Sequence, residues 1–259
     1  MKFDVFGNRK NPVIVMLTGS FYPGSGLDYL YNKLCNEFYI VVPTYNGHYE
    51  NSKEFTTRKG EAAELREYLV KSDIRNVKMI YGQSMGTEIG MELIRQLSVD
   101  GINVDYAFFD GAPMIQLSKP YKAFMNFKFN AMINMFREKT IEEAMSMKFL
   151  KQFAGNKIES LRPMLEALIT VAPYLTKQSI KNEVECCYTF DFPEMSEAFQ
   201  KNMYFFYGED EKAYKTCYKL VKKAYPNANF IIKSGHGHMS YSCENTEEYI
   251  DLLKDILLS

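Results

Sequence analysis

The 259-residue chain has no tryptophan, three histidines and five cysteines. So few histidines, with no CxxC or Cys/His ligand spacing, offer no pattern for a metal site, and no metal or cofactor is implied. The cysteines (Cys35, Cys186, Cys187, Cys217 and Cys243) are odd in number and scattered, which argues against a disulfide framework and for reduced thiols. The adjacent Cys186 and Cys187 are spaced for a vicinal disulfide or a soft metal, although buried thiols more commonly behave as small apolar side chains. An excess of charge of one sign is also missing. With 31 basic against 32 acidic residues the net charge is −1, so there is no footprint for a phosphate backbone and nucleic acid is not an expected partner. No run approaches the ~18 apolar residues of a membrane span, and the opening MKFDVFGNRK lacks the basic-then-apolar layout of an export signal. These absences predict a cytoplasmic protein with no stable membrane anchor. They leave its oligomeric state open.

What remains is ordinary globular material, 46% hydrophobic and 24% charged, able to bury roughly three quarters of its unfolded surface. Apolar runs bounded by turn residues alternate with helical stretches, the signature of an α/β protein with a parallel sheet. Strands are predicted at Val13–Gly19, Tyr39–Tyr45, Val77–Gly82, Val104–Gly111, Met203–Gly208 and Ala228–Ser234, with helices near Leu27–Cys35, Thr57–Lys71, Met85–Leu97, Lys212–Ala224 and Thr246–Leu257. Each strand reads as a near-continuous apolar run, as burial on both faces demands. The alternation breaks between Gly111 and Met203, where helical sequence is punctuated by Pro120, Pro163, Pro173 and Pro193. The expected organisation is therefore a core of residues 1–113 and 200–259 with a helical cap inserted at 114–199. The insertion is rich in Met and Phe (Phe124, Met125, Phe127, Phe129, Met132, Met135, Phe136, Met145, Met147, Phe149, Phe153, Met164). Helix-spaced residues of this kind usually mean plain packing, with a lid over an apolar pocket as the alternative. Between Ser118 and Lys139 the net charge is +4 (Lys119, Lys122, Lys128, Arg137 and Lys139 against Glu138), which fits a lipid surface, an anionic substrate or a solvated helix face.

The segment VKMIYGQSMGTEIGMELI runs from a strand into Gly82-Gln83-Ser84-Met85-Gly86 and at once into a helix. A serine on so sharp a strand-to-helix turn needs small residues two before and two after it. The turn lifts the hydroxyl off the sheet and leaves the next backbone N–H beside a helix N-terminus, where an oxyanion is stabilised. A serine alcohol also needs a base, and the base an orienting acid. Strand Ala228–Ser234 ends in Gly235-His236-Gly237-His238, and strand Met203–Gly208 ends in Glu209-Asp210-Glu211, both at the sheet edge where Ser84 emerges.

With these residues in the order Ser, acid, His, the chain resembles the α/β-hydrolase superfamily from Val13 to Leu258. Leu17-Thr18-Gly19-Ser20 resembles its oxyanion loop, with Thr18 in place of the usual His. Tyr45-Asn46-Gly47-His48 resembles the D-x-x-G-H-G stretch of bacterial members, with His48 read as structural. The resemblance implies a helical cap after the sixth family strand. It favours His238 over His236 as the base, through the G-x-G-H ending. It also points to Glu211 as the acid, where Asp is commoner, with Asp210 beside it and Asp110 in reserve at the end of another strand. The activity implied is hydrolysis of a small-molecule ester with an apolar group. Ser84 would attack, His238 would take its proton, and the N–H groups of Met85 and Ser20 would hold the oxyanion of the acyl-enzyme reaction. Thioesterase, acyltransferase and peptidase chemistry use the same machinery, and a catalytically silent ligand-binding protein would share the fold. A nucleotide-binding reading is weaker, because Pro23 and the aromatics within Gly19 to Gly26 suit a phosphate cradle poorly.

Overall fold

The computed structural model describes residues 1–148 and 162–258. In chain order its elements are β1 (Lys2–Phe6), β2 (Val13–Leu17), a short 3-10 turn (Gly24–Leu27), α1 (Asp28–Leu34), β3 (Tyr39–Thr44), α2 (Arg58–Lys71), β4 (Asn76–Gln83), α3 (Met85–Val99) and β5 (Asn103–Asp110). An insertion follows with α4 (Lys119–Phe136), α5 (Ile141–Ser146), α6 (Arg162–Val171), α7 (Lys177–Tyr188) and α8 (Glu197–Gln200). The chain then closes with β6 (Met203–Gly208), α9 (Lys212–Ala224), β7 (Asn229–Lys233), α10 (Ser240–Glu244) and α11 (Thr246–Leu258).

The apolar runs become strands because both faces of the sheet are covered. Successive side chains alternate between faces. Val15 and Leu17 of β2 pack with Leu65, Ile80, Ile89 and Phe109 beneath α2 and α3. Ile14 and Met16 point the other way, to Leu30, Leu34, Phe108, Tyr249 and Leu253 beneath α1 and α11. The strand order is β1-β3-β2-β4-β5-β6-β7, parallel throughout except for β1, which runs antiparallel to β3. The winding reverses direction after β3, so the carboxyl ends of β2 and β4 flank the crevice where such sheets bind ligands.

β1 is an addition to the predicted strands. It is a five-residue edge strand paired on one side, and none of its residues is fully buried, so it lacks an apolar run. The inserted helices have a small core of their own, in which Ile133, Phe136, Met145, Leu165, Leu168, Val171 and Ile180 enclose Phe21 from the β2 loop. Phe124, Phe127, Met135 and Met164 lie outside that core, exposed. Phe149 and Phe153 lie outside the described residues.

Candidate active site

Ser84 occupies the single residue between β4 and α3, at φ 47° and ψ −120°. A side chain held there costs about 1–3 kcal/mol, so the surroundings must impose it. Its N–H donates to the Asp110 carbonyl at 2.8 Å. Its own carbonyl accepts from the Thr87 N–H at 2.9 Å and the Thr87 hydroxyl at 2.7 Å. The flanking glycines are required by contact: a Cβ on Gly86 would lie 2.4 Å from the Leu17 carbonyl oxygen, and one on Gly82 would lie 2.7 Å from Gly86. Gly19 backs onto the serine, since a Cβ there would lie 3.2 Å from that of Ser84.

Glu211 follows the β6 turn and is the N-cap residue of α9. Its buried carboxylate accepts the Gly208 N–H on Oε1 at 2.9 Å and meets His238 Nδ1 with Oε2 at 2.5 Å. Because a carboxylate only accepts, Nδ1 carries the proton and Nε2 is left as the basic nitrogen. Burial pushes the His238 pKa down, but the hydrogen bond and charge of Glu211, with Asp110 behind it, outweigh that and raise it above the ordinary 6.5. Gly111 joins the two halves of the site. Its neighbour Asp110 holds the Ser84 backbone, and at φ +67° its own bare Cα leaves room for the imidazole. A Cβ there would lie 2.4 Å from His238 Cε1 and 3.1 Å from Glu211 Oε2.

The other candidates go elsewhere. Asp210 is exposed, and its N–H donates to the His236 carbonyl at 3.0 Å. His236 turns toward α10, 3.4 Å from the Ser240 hydroxyl and stacked edge-on against Tyr241. Asp110 is buried under the pair, with Oδ2 accepting the Tyr249 hydroxyl at 2.8 Å and Oδ1 making no hydrogen bond among the described residues. Burial above all, and then the charge of Glu211, push its pKa from 3.8 to about 7, against the Tyr249 hydrogen bond and His238. Glu88, one turn into α3, is also buried, with neither oxygen hydrogen-bonded among the described residues, and burial raises its pKa well above the usual range.

The loop after β2 is pinned from several sides. The Tyr45 hydroxyl donates to the Thr18 carbonyl at 3.2 Å, and Ser20 Oγ lies 3.3 Å from Cys187 Sγ. Phe21, in the left-handed region at φ 62°, gives its N–H to Glu183 Oε2 of α7 at 2.9 Å. Glu183 Oε1 meets His48 Nε2 at 3.0 Å, with both side chains fully buried. A cavity of about 550 Å³ opens over this edge of the sheet. Gln83, His238, Tyr22, Tyr29 and Met239 line it on the sheet side, and Pro163, Met164, Glu166, Ala167 and Thr170 of α6 on the other. Its charged walls among the described residues, apart from His238, are Asp28, Glu166 and Glu244, all acidic.

In sequence the chain matches no family model and no curated protein. In structure it superposes on an α/β hydrolase family protein from Desulfitobacterium hafniense with a TM-score of 0.75 at 17% identity, covering 99% of this chain and 100% of the other. The fold is that of the α/β-hydrolases. A thermophilic esterase from Thermogutta terrifontis aligns at 0.74 and 14% identity over 99% and 92% of the two chains. The enol-lactonase from Burkholderia xenovorans LB400 aligns at 0.72 and 14% identity over 100% and 96%. On this α/β-hydrolase fold, the residues that sequence reasoning missed are Gly111, Glu183 and Tyr249. Gly111 had a signal, as a glycine ending the strand after the elbow, whereas Glu183 and Tyr249 reach the site only through tertiary structure.

Proposed function

We propose that the protein is a serine hydrolase that cleaves carboxylic esters bearing an apolar group. Ser84 attacks the carbonyl, and His238 Nε2 takes the hydroxyl proton as the bond forms. Glu211 keeps the imidazole in the tautomer that allows this and stabilises the imidazolium. The N–H groups of Met85 and Ser20 receive the developing oxyanion. Protonated His238 then hands its proton to the departing alcohol, leaving an acyl-Ser84 ester. Water, deprotonated by His238, attacks that ester, and the acid is released. Residues 114–199 act as a cap, with α6 forming the outer wall of the substrate cavity. The observation that carries this reading is the 2.5 Å Glu211–His238 pair seated against Gly111, directly behind the backbone that holds Ser84 in its strained turn. An ester substrate is supported by the neighbouring folds, since an esterase and an enol-lactonase both open carboxylic ester bonds.

The test is labelling of the purified protein with a fluorophosphonate, read by peptide mass spectrometry, because such probes react quickly only with an activated serine beside an oxyanion hole. The adduct is expected on Ser84, with loss of labelling in Ser84→Ala and His238→Ala. A folded protein that remains unlabelled and hydrolyses no p-nitrophenyl ester sinks the proposal and leaves a ligand-binding protein on the same fold.

A further inference from the structure

Helix α4 is apolar on two sides, and the described residues cover only one of them. At about 100° per residue, Phe129, Ile133 and Phe136 turn inward to the core of the inserted helices, and Lys122 on that flank pairs with Glu185 of α7 at 2.5 Å. Tyr121, Phe124, Phe127 and Met135 turn roughly the opposite way and are 65%, 60%, 72% and 42% exposed. Grouped aromatics open to water mark an interaction surface. Lys128 lies within the same stripe and is exposed, and the helix contains no Asp or Glu.

We propose that this face of α4 docks on an anionic lipid surface. Tyr121, Phe124 and Phe127 would enter the boundary between headgroups and acyl chains, with Lys128 against lipid phosphates. Aromatic and lysine side chains share one face in helices that lie in a membrane interface, and basic residues there are drawn to anionic headgroups. Charge selects this occupant over a second copy of the chain. A two-fold contact through α4 would bring the Lys128 side chains of both copies together, with no carboxylate in either helix to neutralise them. No helix among the described residues is long and apolar enough to cross a membrane, so the contact is peripheral. The proposal goes beyond the hydrolytic reading and does not depend on it.

The experiment is co-sedimentation of the full chain with phosphatidylcholine vesicles, with and without phosphatidylglycerol. Wild type and Ser84→Ala should bind the phosphatidylglycerol vesicles alike, and added salt should weaken that binding. Phe124→Ser combined with Phe127→Ser should lose it by ~tenfold or more, while hydrolysis of a soluble short ester is unchanged. Lys128→Glu should weaken it separately, which keeps the test open if the double variant fails to fold. Equal binding to both vesicle types, or undiminished binding by the variants, overturns the proposal. So does a concentration-dependent dimer that the double variant abolishes, if no vesicle binding accompanies it.

Discussion

Asp110→Asn changes one atom at the centre of the site, and its effect can be worked through in advance. Asp110 is 1% exposed, and its pKa rises from 3.8 to about 7. Since the folded value is the higher, the folded protein keeps a proton that the unfolded chain has already released. The site's contribution to stability is therefore complete below about pH 4, falls as the pH rises toward 7, and levels off above it. Raising the carboxyl from 3.8 to about 7 amounts to roughly 4 kcal/mol at about 1.4 kcal/mol per tenfold, of which roughly 2–3 kcal/mol is lost between pH 5 and 8. Asparagine has the same shape, still offers Tyr249 an oxygen and does not ionise. Urea unfolding of both proteins at pH 5 and pH 8 should show the variant gaining about 2–3 kcal/mol on wild type across that interval. The acid limb of kcat/KM should move to lower pH as well, because one of the charges that raises the His238 pKa has gone. Parallel stability profiles would refute the reasoning, since they would mean that Asp110 does not titrate in this range.

Gly111→Ala adds a methyl 2.4 Å from His238 Cε1 at φ +67°. It should cost about 1–2 kcal/mol of stability for the backbone strain alone and lower kcat by ~100-fold by moving the imidazole; steady-state kinetics beside a thermal melt reads both, and a near-wild-type kcat would contradict the packing argument. Glu183→Gln keeps a single acceptor oxygen, so it should release either the Phe21 N–H or the His48 ring, lowering kcat/KM by ~tenfold with about 1–3 kcal/mol lost from the fold. Unchanged kinetics in a destabilised variant would assign Glu183 to scaffolding alone. With Asp28, Glu166 and Glu244 around the cavity, a hemisuccinate ester should be cleaved more slowly than the neutral ester of the same alcohol, and salt should narrow the gap. Equal kcat/KM values at low salt would mean that these carboxylates do not govern substrate choice.

Features that obey a local rule were legible in the sequence. The interior strands showed because burial on both faces makes most of the run apolar, whereas β1, paired on one side, had no need of such a run. The serine turn showed because contact with Leu17 and Gly86 demands glycine at fixed spacing. In α4 the abundance of Met and Phe was visible, but a helix apolar on two sides does not say in one dimension which side is covered. Glu183 was hidden for another reason: its partners Phe21 and His48 are 162 and 135 residues away.

The acid is the most instructive case, because Glu209, Asp210, Glu211 and Asp110 all lie at the right edge of the sheet. Two carboxyl groups near one imidazole are tolerable when only one of them carries charge. Hydrogen-bond donors divide the roles: Glu211 receives the Gly208 N–H and His238 Nδ1, whereas Asp110 receives a single tyrosine hydroxyl in a fully buried position and holds its proton to about pH 7. Asp210 points away by direction alone, since it faces solvent while the next residue turns inward as the N-cap of α9. Which carboxylate faces the histidine is thus decided by backbone direction and by the count of nearby N–H and O–H groups. Neither quantity is written in the spacing of acidic residues along the chain.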